Sequence, residues 1–237
     1  MPESAHTIHS QALQNERPLW VRPPRDPASA QHLTIFLDAE LYRGHVGVDA
    51  VLATLGERLA DSWFVFVSMH SVEVRARECP CHPPFAQFVV GELLPWLEEH
   101  FPALKHARHR MLVGLSYTGL AASFIALEHP GVFQKVISQS GSYWWNNCWL
   151  VEQFDRLPTP IPTAFHLDVG SRETQENVQH AIGVLQVVSQ IDGVQRFRDT
   201  LLRRGHAVEF TEFDGHHDAA EWKKSLPSAL TWALPRS

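Results

Sequence analysis

Three short stretches of this chain carry residue types that can do acyl-transfer chemistry. The first surrounds Ser116. Met111-Leu112-Val113-Gly114-Leu115 has the composition of a buried strand, Leu120 to Leu127 that of a helix, and small residues fill the junction. A serine on a tight strand-to-helix turn is a nucleophile elbow: its hydroxyl stands above the sheet edge, and the next backbone N–H lies at a helix N-terminus, where negative charge is stabilised. Neighbouring backbone approaches such a turn closely, so small residues are required around it. Gly114 fits, but Thr118 stands where a second glycine is expected and the glycine falls at 119, so the G-x-S-x-G spacing is broken by one residue. Taken alone, Ser116 has a simpler reading as a turn or helix-capping residue.

The second stretch, Gly170-Ser171-Arg172-Glu173-Thr174, offers a carboxylate, with Asp168 just before it as a rival acid. The third, Asp214-Gly215-His216-His217-Asp218, offers imidazole. A serine hydroxyl is a poor nucleophile until a base takes its proton, and histidine, with an ordinary pKa of about 6.5, does so near neutrality. A carboxylate then fixes the imidazole tautomer and stabilises the imidazolium. Preorganised N–H donors stabilise the oxyanion, by about 3 kcal/mol each. The Tyr117 N–H is the expected first donor and the Glu40 N–H, in the loop after the first buried strand, the second. Serine, acid and histidine follow one another in the order found in α/β-hydrolases. His216-His217-Asp218 also contains metal-ligating types, but adjacent residues seldom reach one ion and no third ligand stands at suitable spacing. Glu173 would also suit the first turn of a helix as a dipole-stabilising acid.

These loops need a scaffold that presents them on one edge. Apolar strand candidates at 32–37, 63–67, 111–115, 136–138, 164–169 and 207–213 alternate with helical patterns. Val48, Val51, Leu52 and Leu55 mark an amphipathic helix running to Leu59, and Phe85 to Phe101 reads as a second, kinked at Pro95. Helices are also expected at 119–128, from Gln175 to Arg204 with a break near Gly193, and from Asp218 to Leu234; Met69 to Pro84 reads as a long loop. Thr7 to Leu13 and Pro18 to Val21 are short strand candidates ahead of a proline-rich turn. This alternation implies an α/β fold of the α/β-hydrolase kind, with a mostly parallel central sheet, helices on both faces, and functional groups at the carboxyl ends of the strands. Residues 1–237 are expected to form one domain.

Composition excludes several other classes. Apolar residues make up 44% and charged residues 19%, which is globular. The formal net charge is −6 with lysine and arginine scattered, so nucleic acid is not an expected partner. No apolar run reaches membrane-spanning length and no secretory leader pattern opens the chain. Three cysteines (Cys79, Cys81 and Cys148) are too few for a disulfide framework, and Cys79-Pro80-Cys81 lacks a second pair to complete a metal site. A cytoplasmic protein that needs no metal or organic cofactor is expected. The sequence is silent on oligomeric state.

Several segments in order (Leu37-Asp38-Ala39-Glu40, Arg75-Ala76-Arg77-Glu78, Phe85 with Glu92-Leu93-Leu94-Pro95, the Ser116 elbow, Ser138-Gln139-Ser140-Gly141-Ser142-Tyr143-Trp144-Trp145, and Gly215-His216-His217-Asp218 ending at Trp222) resemble the esterase domain of enterochelin (enterobactin) esterases. The resemblance runs from about residue 16 to the C-terminus. It implies Ser116 as nucleophile, His217 rather than His216 as base, and Glu173 as acid. It further implies a small-molecule ester substrate of the catecholate siderophore trilactone class, with iron bound or not. On that reading Trp144 and Trp145 stack on catechol rings and Arg75 meets an anionic ligand; the same residues would otherwise be core aromatics and a solvated arginine. Ala39 and Thr118 stand where glycine is usual in the family, and His82 where asparagine is. The resemblance begins at the catalytic domain, whereas the larger cytoplasmic enterochelin esterases carry a further N-terminal domain. A general carboxylesterase, an acyltransferase and a non-catalytic ligand-binding homologue are the alternatives.

Overall fold

The strands alternate their side chains between two apolar layers. Leu33, Ile35, Leu37, Val65 and Val67 face one buried cluster, while Phe36, Phe64, Phe66, Val113 and Leu115 face the other. A strand buried on both faces must be apolar throughout, which is why these segments read as continuous hydrophobic runs. The computed structural model describes residues 2–28 and 30–233. Its eight-stranded sheet has the order β1-β2-β4-β3-β5-β6-β7-β10, where β1 is Ser4–Ser10, β2 Asn15–Arg22, β3 His32–Leu37, β4 Ser62–Val67, β5 His109–Leu115, β6 Lys135–Gln139, β7 Ala164–Gly170 and β10 Val208–Phe213. β1 and β2 form an antiparallel edge, and every pairing from β4 to β10 is parallel.

The chain runs from β3 outward to β4 and then returns to place β5 on the other side of β3. This reversal opens a crevice at the carboxyl ends of β3 and β5, the position where open α/β sheets bind ligands. The helices Val48–Leu55 and Ala219–Ala233 cover the Phe36 face, and Tyr117–Glu128 and Gln190–Arg203 cover the other. Position 234, the last residue of the helix expected from Asp218, lies outside the described residues.

Three elements differ from the sequence reading. Residues 69–84 are not a plain loop: Ser71 caps a helix, Val72–Glu78, by accepting the Val74 N–H. That helix is tied down by a buried ion pair from Glu78 to Arg17 of β2. The segment after Gln175 is not helical; Val178–Ala181 (β8) and Val184–Gln186 (β9) form a hairpin around Gly183, whose φ of 78° suits a tight turn. The helix starts only at Gln190, where Ser189 accepts the Asp192 N–H, and Gly193 lies within it without a break. Gly193 is needed there because a Cβ would come 2.9 Å from the Trp144 backbone nitrogen. Pro95 sits in the first turn of Leu94–His100, directly after a widened π-type segment, Phe88–Leu93, that accommodates its ring and missing N–H.

Candidate active site

Ser116 terminates β5 with φ 53° and ψ −121°, a conformation costing about 1–3 kcal/mol that persists only when its surroundings impose it. They do so here through three contacts. Its N–H donates to the Gln139 carbonyl (2.8 Å), and its carbonyl accepts from Ser142 N (3.0 Å) and Leu120 N (3.1 Å). A Cβ on Gly114 would stand 2.1 Å from the Thr118 carbonyl oxygen, and one on Gly119 would stand 2.5 Å from Ser138 Oγ. Glycine is therefore required at 114 and 119, whereas Thr118 is fully buried and bonds back to β5. Its Oγ1 donates to Leu115 O (2.8 Å) and accepts Leu115 N–H (2.9 Å). The irregular spacing at the elbow thus has a structural role for its threonine.

The loops after β7 and β10 bring the other two groups to Ser116. His217 Nε2 lies 3.1 Å from Ser116 Oγ, and His217 Nδ1 lies 2.5 Å from Glu173 Oε2. Glu173 Oε1 accepts from Gly170 N and from Ser140 Oγ, both at 2.7 Å. With that carboxylate fixed, Nδ1 donates to Oε2 and leaves the Nε2 lone pair facing the serine. Asp168 is held differently. It is fully buried, its Oδ1 accepts the Ser140 N–H (3.2 Å), and burial pushes its carboxyl up to about 7 against the nearby Ser225, Ser140 and Gln139 donors. The geometry thus couples His217 to Glu173 and leaves Asp168 beneath the site. His216 faces the same cavity without joining this chain of hydrogen bonds.

Gln139 ties the elbow to the helix that follows His217. Its backbone accepts from Ser116 N while its amide donates to Trp222 O (2.9 Å) and Ser225 Oγ (2.7 Å). Trp222 presents its ring edge-on to the imidazole at 4.8 Å.

A cavity of about 490 Å³ opens over Ser116. Tyr117, Arg75 and Trp144 line it and Trp145 does not; Trp145 is half-buried against the main core. Adjacent residues point apart, so one tryptophan of the pair faces the cavity and the expectation for Trp145 is corrected. Trp144 donates Nε1–H to Gln190 Oε1 (2.6 Å) and stacks on His180 of β8, with centroids 4.7 Å apart and planes at 9°. Arg75 is first a clamp. Its Nε donates to Asp38 Oδ2 (2.5 Å), Nη2 donates to Leu115 O (3.0 Å), and its guanidinium lies 5.6 Å from the Tyr117 ring centroid. It thereby joins the loop after β3 to the elbow across the crevice. Asp38, at φ 90°, caps the short helix Ala39–Leu41; burial pushes its carboxyl up, with Arg75 opposing. Glu40 lies in that helix with its carboxylate on Ser68 Oγ and Met69 N, outside the residues that line the cavity. His82 sits at the N-terminus of the short helix Pro83–Gln87, also outside the cavity lining. Among the described residues no helix is long and apolar enough to cross a membrane, and no three metal-ligating side chains cluster.

Ser140, Gln190 and His180 were not singled out for the site from sequence. The only sequence signal for Ser140 was its place in the Ser138–Trp145 segment, whereas His180 was concealed by reading the β8–β9 hairpin as helix.

A family model described as "Putative esterase" matches residues 10–233. The chain belongs to that family. It is 33% identical over 231 residues to the iron(III) enterobactin esterase of Escherichia coli (strain K12), covering 93% of this chain and 54% of the relative. It is 28% identical over 234 residues to the iron(III) enterobactin esterase of Dickeya dadantii (strain 3937), covering 95% and 53%. The chain therefore spans about half the length of these relatives. The crystal structure of the enterobactin esterase from Shigella flexneri in the presence of enterobactin superimposes with a TM-score of 0.82 at 25% identity, over 98% of this chain and 58% of that one. The mostly parallel sheet with helices on both faces is thus the α/β-hydrolase arrangement.

Proposed function

We propose that this protein is a serine esterase that cleaves carboxylic esters through an acyl-Ser116 intermediate, and that its substrates are siderophore trilactones of the enterobactin type. The observation that carries the reading is the continuous line Ser116–His217–Glu173, at 3.1 and 2.5 Å, opening into a cavity walled by Trp144. His217 Nε2 takes the Ser116 proton as Oγ attacks the carbonyl carbon, and Glu173 stabilises the imidazolium that forms. The oxyanion is received by the Tyr117 N–H at the start of its helix, and the loop after β3, joined to the elbow by Arg75, is the expected source of a second donor at Glu40 N. Collapse expels the alcohol, which takes its proton from Nε2; a water then repeats the sequence and frees the acid and Ser116. No metal or organic cofactor takes part in these steps, and any ferric ion belongs to the substrate.

The substrate class rests on the named activity of the enterobactin esterase relatives, on the aromatic wall at Trp144, and on Arg75 and Arg172 at the cavity surface. Binding energy from catechol rings remote from the scissile bond can orient the carbonyl over Ser116, a handle that a short ester lacks. The test compares kcat/KM for a 2,3-dihydroxybenzoyl-serine trilactone and for p-nitrophenyl butyrate, with products resolved by mass spectrometry. The trilactone is expected to be the better substrate by at least tenfold. A preference for the short ester would replace the siderophore reading with a general carboxylesterase, and transfer of the acyl group to an added alcohol in place of water would make the protein an acyltransferase.

A further inference from the structure

We propose that Ser140 is a positioning residue for the triad acid and that Trp222 orients its hydroxyl; the inference rests on the esterase reading of the Ser116 site. Ser140 follows β6, is fully buried, and adopts φ 45°, in the left-handed region that a serine seldom occupies. Five contacts hold it there. Its N–H donates to the Asp168 carbonyl (2.9 Å) and to Asp168 Oδ1 (3.2 Å), and its own carbonyl accepts from Gln190 Nε2 (2.6 Å). Its hydroxyl lies between the Trp222 indole nitrogen at 3.0 Å and Glu173 Oε1 at 2.7 Å.

The proton direction in this chain follows from chemistry. An indole nitrogen only donates and an ionised carboxylate only accepts. Ser140 Oγ therefore accepts from Trp222 and must give its own proton to Glu173. With Oε1 saturated by Ser140 and Gly170, Oε2 is left to take the His217 Nδ1–H, which sets the imidazole tautomer. Donors thus converge on Glu173 from both sides, from Trp222 through Ser140 and from Ser116 through His217. Ser140 is absent from the cavity lining, so it acts through Glu173 rather than on substrate. Its strained backbone is the cost of placing that hydroxyl, and strain of this kind gathers at functional sites.

Two substitutions separate positioning from folding. Ser140→Ala removes the hydroxyl and keeps the strain; Ser140→Gly removes both, because glycine accepts positive φ freely. Both variants are expected to lower kcat for p-nitrophenyl butyrate by about ten- to a hundredfold, the usual effect of one hydrogen bond to a charged group. Ser140→Gly should melt at a higher temperature than Ser140→Ala while being equally slow. Trp222→Phe keeps a ring edge on His217 but loses the N–H, and should slow the enzyme severalfold. In a Ser140→Ala background the same change should cost nothing further, since the acceptor of that N–H is gone. Wild-type kcat in Ser140→Gly, or fully multiplicative losses in the double variant, would overturn the proposal. Ser116→Ala is the separate control: if it keeps activity, the esterase site itself is misassigned, whereas inactive Ser116→Ala beside fully active Ser140→Gly removes only the role of Ser140.

Discussion

Glu173→Gln should be more damaging than its near-isosteric size suggests, because the two oxygens of Glu173 do different work. Oε1 accepts two hydrogen bonds of 2.7 Å, from Gly170 N–H and Ser140 O–H. In the glutamine variant the amide oxygen must take that position, since an NH₂ there would face two donors. The NH₂ is thereby directed at His217 Nδ1, where the carboxylate stood at 2.5 Å. Nδ1 must become an acceptor, the ring proton moves to Nε2, and the serine meets an N–H in place of a lone pair. Locking the base in the wrong tautomer costs about 10⁴-fold in kcat in a triad, or roughly 5.4 kcal/mol of transition-state stabilisation. Glu173→Ala presents no misplaced donor, leaves the tautomer free, and should be the milder change. Initial rates with p-nitrophenyl butyrate at pH 7.5, together with a melting curve for each variant, provide the assay. Asp168→Asn is the comparison, expected to cost less than tenfold because Asp168 bonds the Ser140 backbone and not His217. A Glu173→Gln enzyme with more than a tenth of wild-type kcat, or an Asp168→Asn enzyme slower than it, would refute the reasoning.

Other outcomes follow from the same geometry. Gly114→Ala should destabilise the protein by several kcal/mol, on the order of other steric clashes with fixed backbone, because its Cβ would meet the Thr118 carbonyl at 2.1 Å; Gly44→Ala, with nothing within 4 Å, should be nearly silent in urea unfolding. Two buried groups on β7 should impose opposite pH dependences on stability. Burial raises the Asp168 pKa to about 7, so between pH 4 and 7 the native state holds a proton that the unfolded chain releases, and stability falls as pH rises. Burial lowers the His166 pKa to about 4, so between pH 4 and 6.5 the unfolded chain binds the extra proton and stability rises with pH. Urea midpoints of Asp168→Asn should therefore climb more steeply than wild type from pH 4 to 6.5, and those of His166→Gln should fall; parallel curves for all three would contradict this. Trp144→Ala should reduce kcat/KM for the trilactone more than for p-nitrophenyl butyrate, narrowing the ratio tenfold for every ~1.4 kcal/mol lost. Trp145→Ala, outside the cavity, should leave the ratio unchanged.

The parts of the site legible in the sequence were those carried by local pattern. An apolar strand ending at Ser116 and opening a helix marks the strand–turn–helix junction, though a capping serine fits the same pattern, and the Gly-x-x-Glu and His-His-Asp turns fall where strands end. The residues alone left Glu173 and Asp168 as rival acids and only the resemblance pointed to Glu173, since Asp168 lies at the end of β7 and Glu173 in the loop just after it. The helix Val72–Glu78 was hidden because seven residues carry little periodicity, and its anchor, the Arg17–Glu78 pair, spans distant sequence. The β8–β9 hairpin was misread because Val178, Ile182 and Leu185 also fit a helical spacing, although Gly183 marked the turn. The clamp that Arg75 makes was hidden because its Asp38 and Leu115 partners come from loops that only the order of the sheet brings together. The contacts of Ser140 were hidden for a further reason: its positive φ and the indole beside its hydroxyl are properties of the packed fold.

The central claim is that Ser116 becomes acylated during ester hydrolysis. Its most direct test is intact-mass and peptide mass spectrometry of the enzyme quenched in acid during turnover of p-nitrophenyl butyrate. The account predicts a single butyryl group on the peptide containing Ser116, formed in a burst that releases one equivalent of p-nitrophenol and absent from Ser116→Ala. An adduct on another residue, or undiminished turnover by Ser116→Ala, would contradict it.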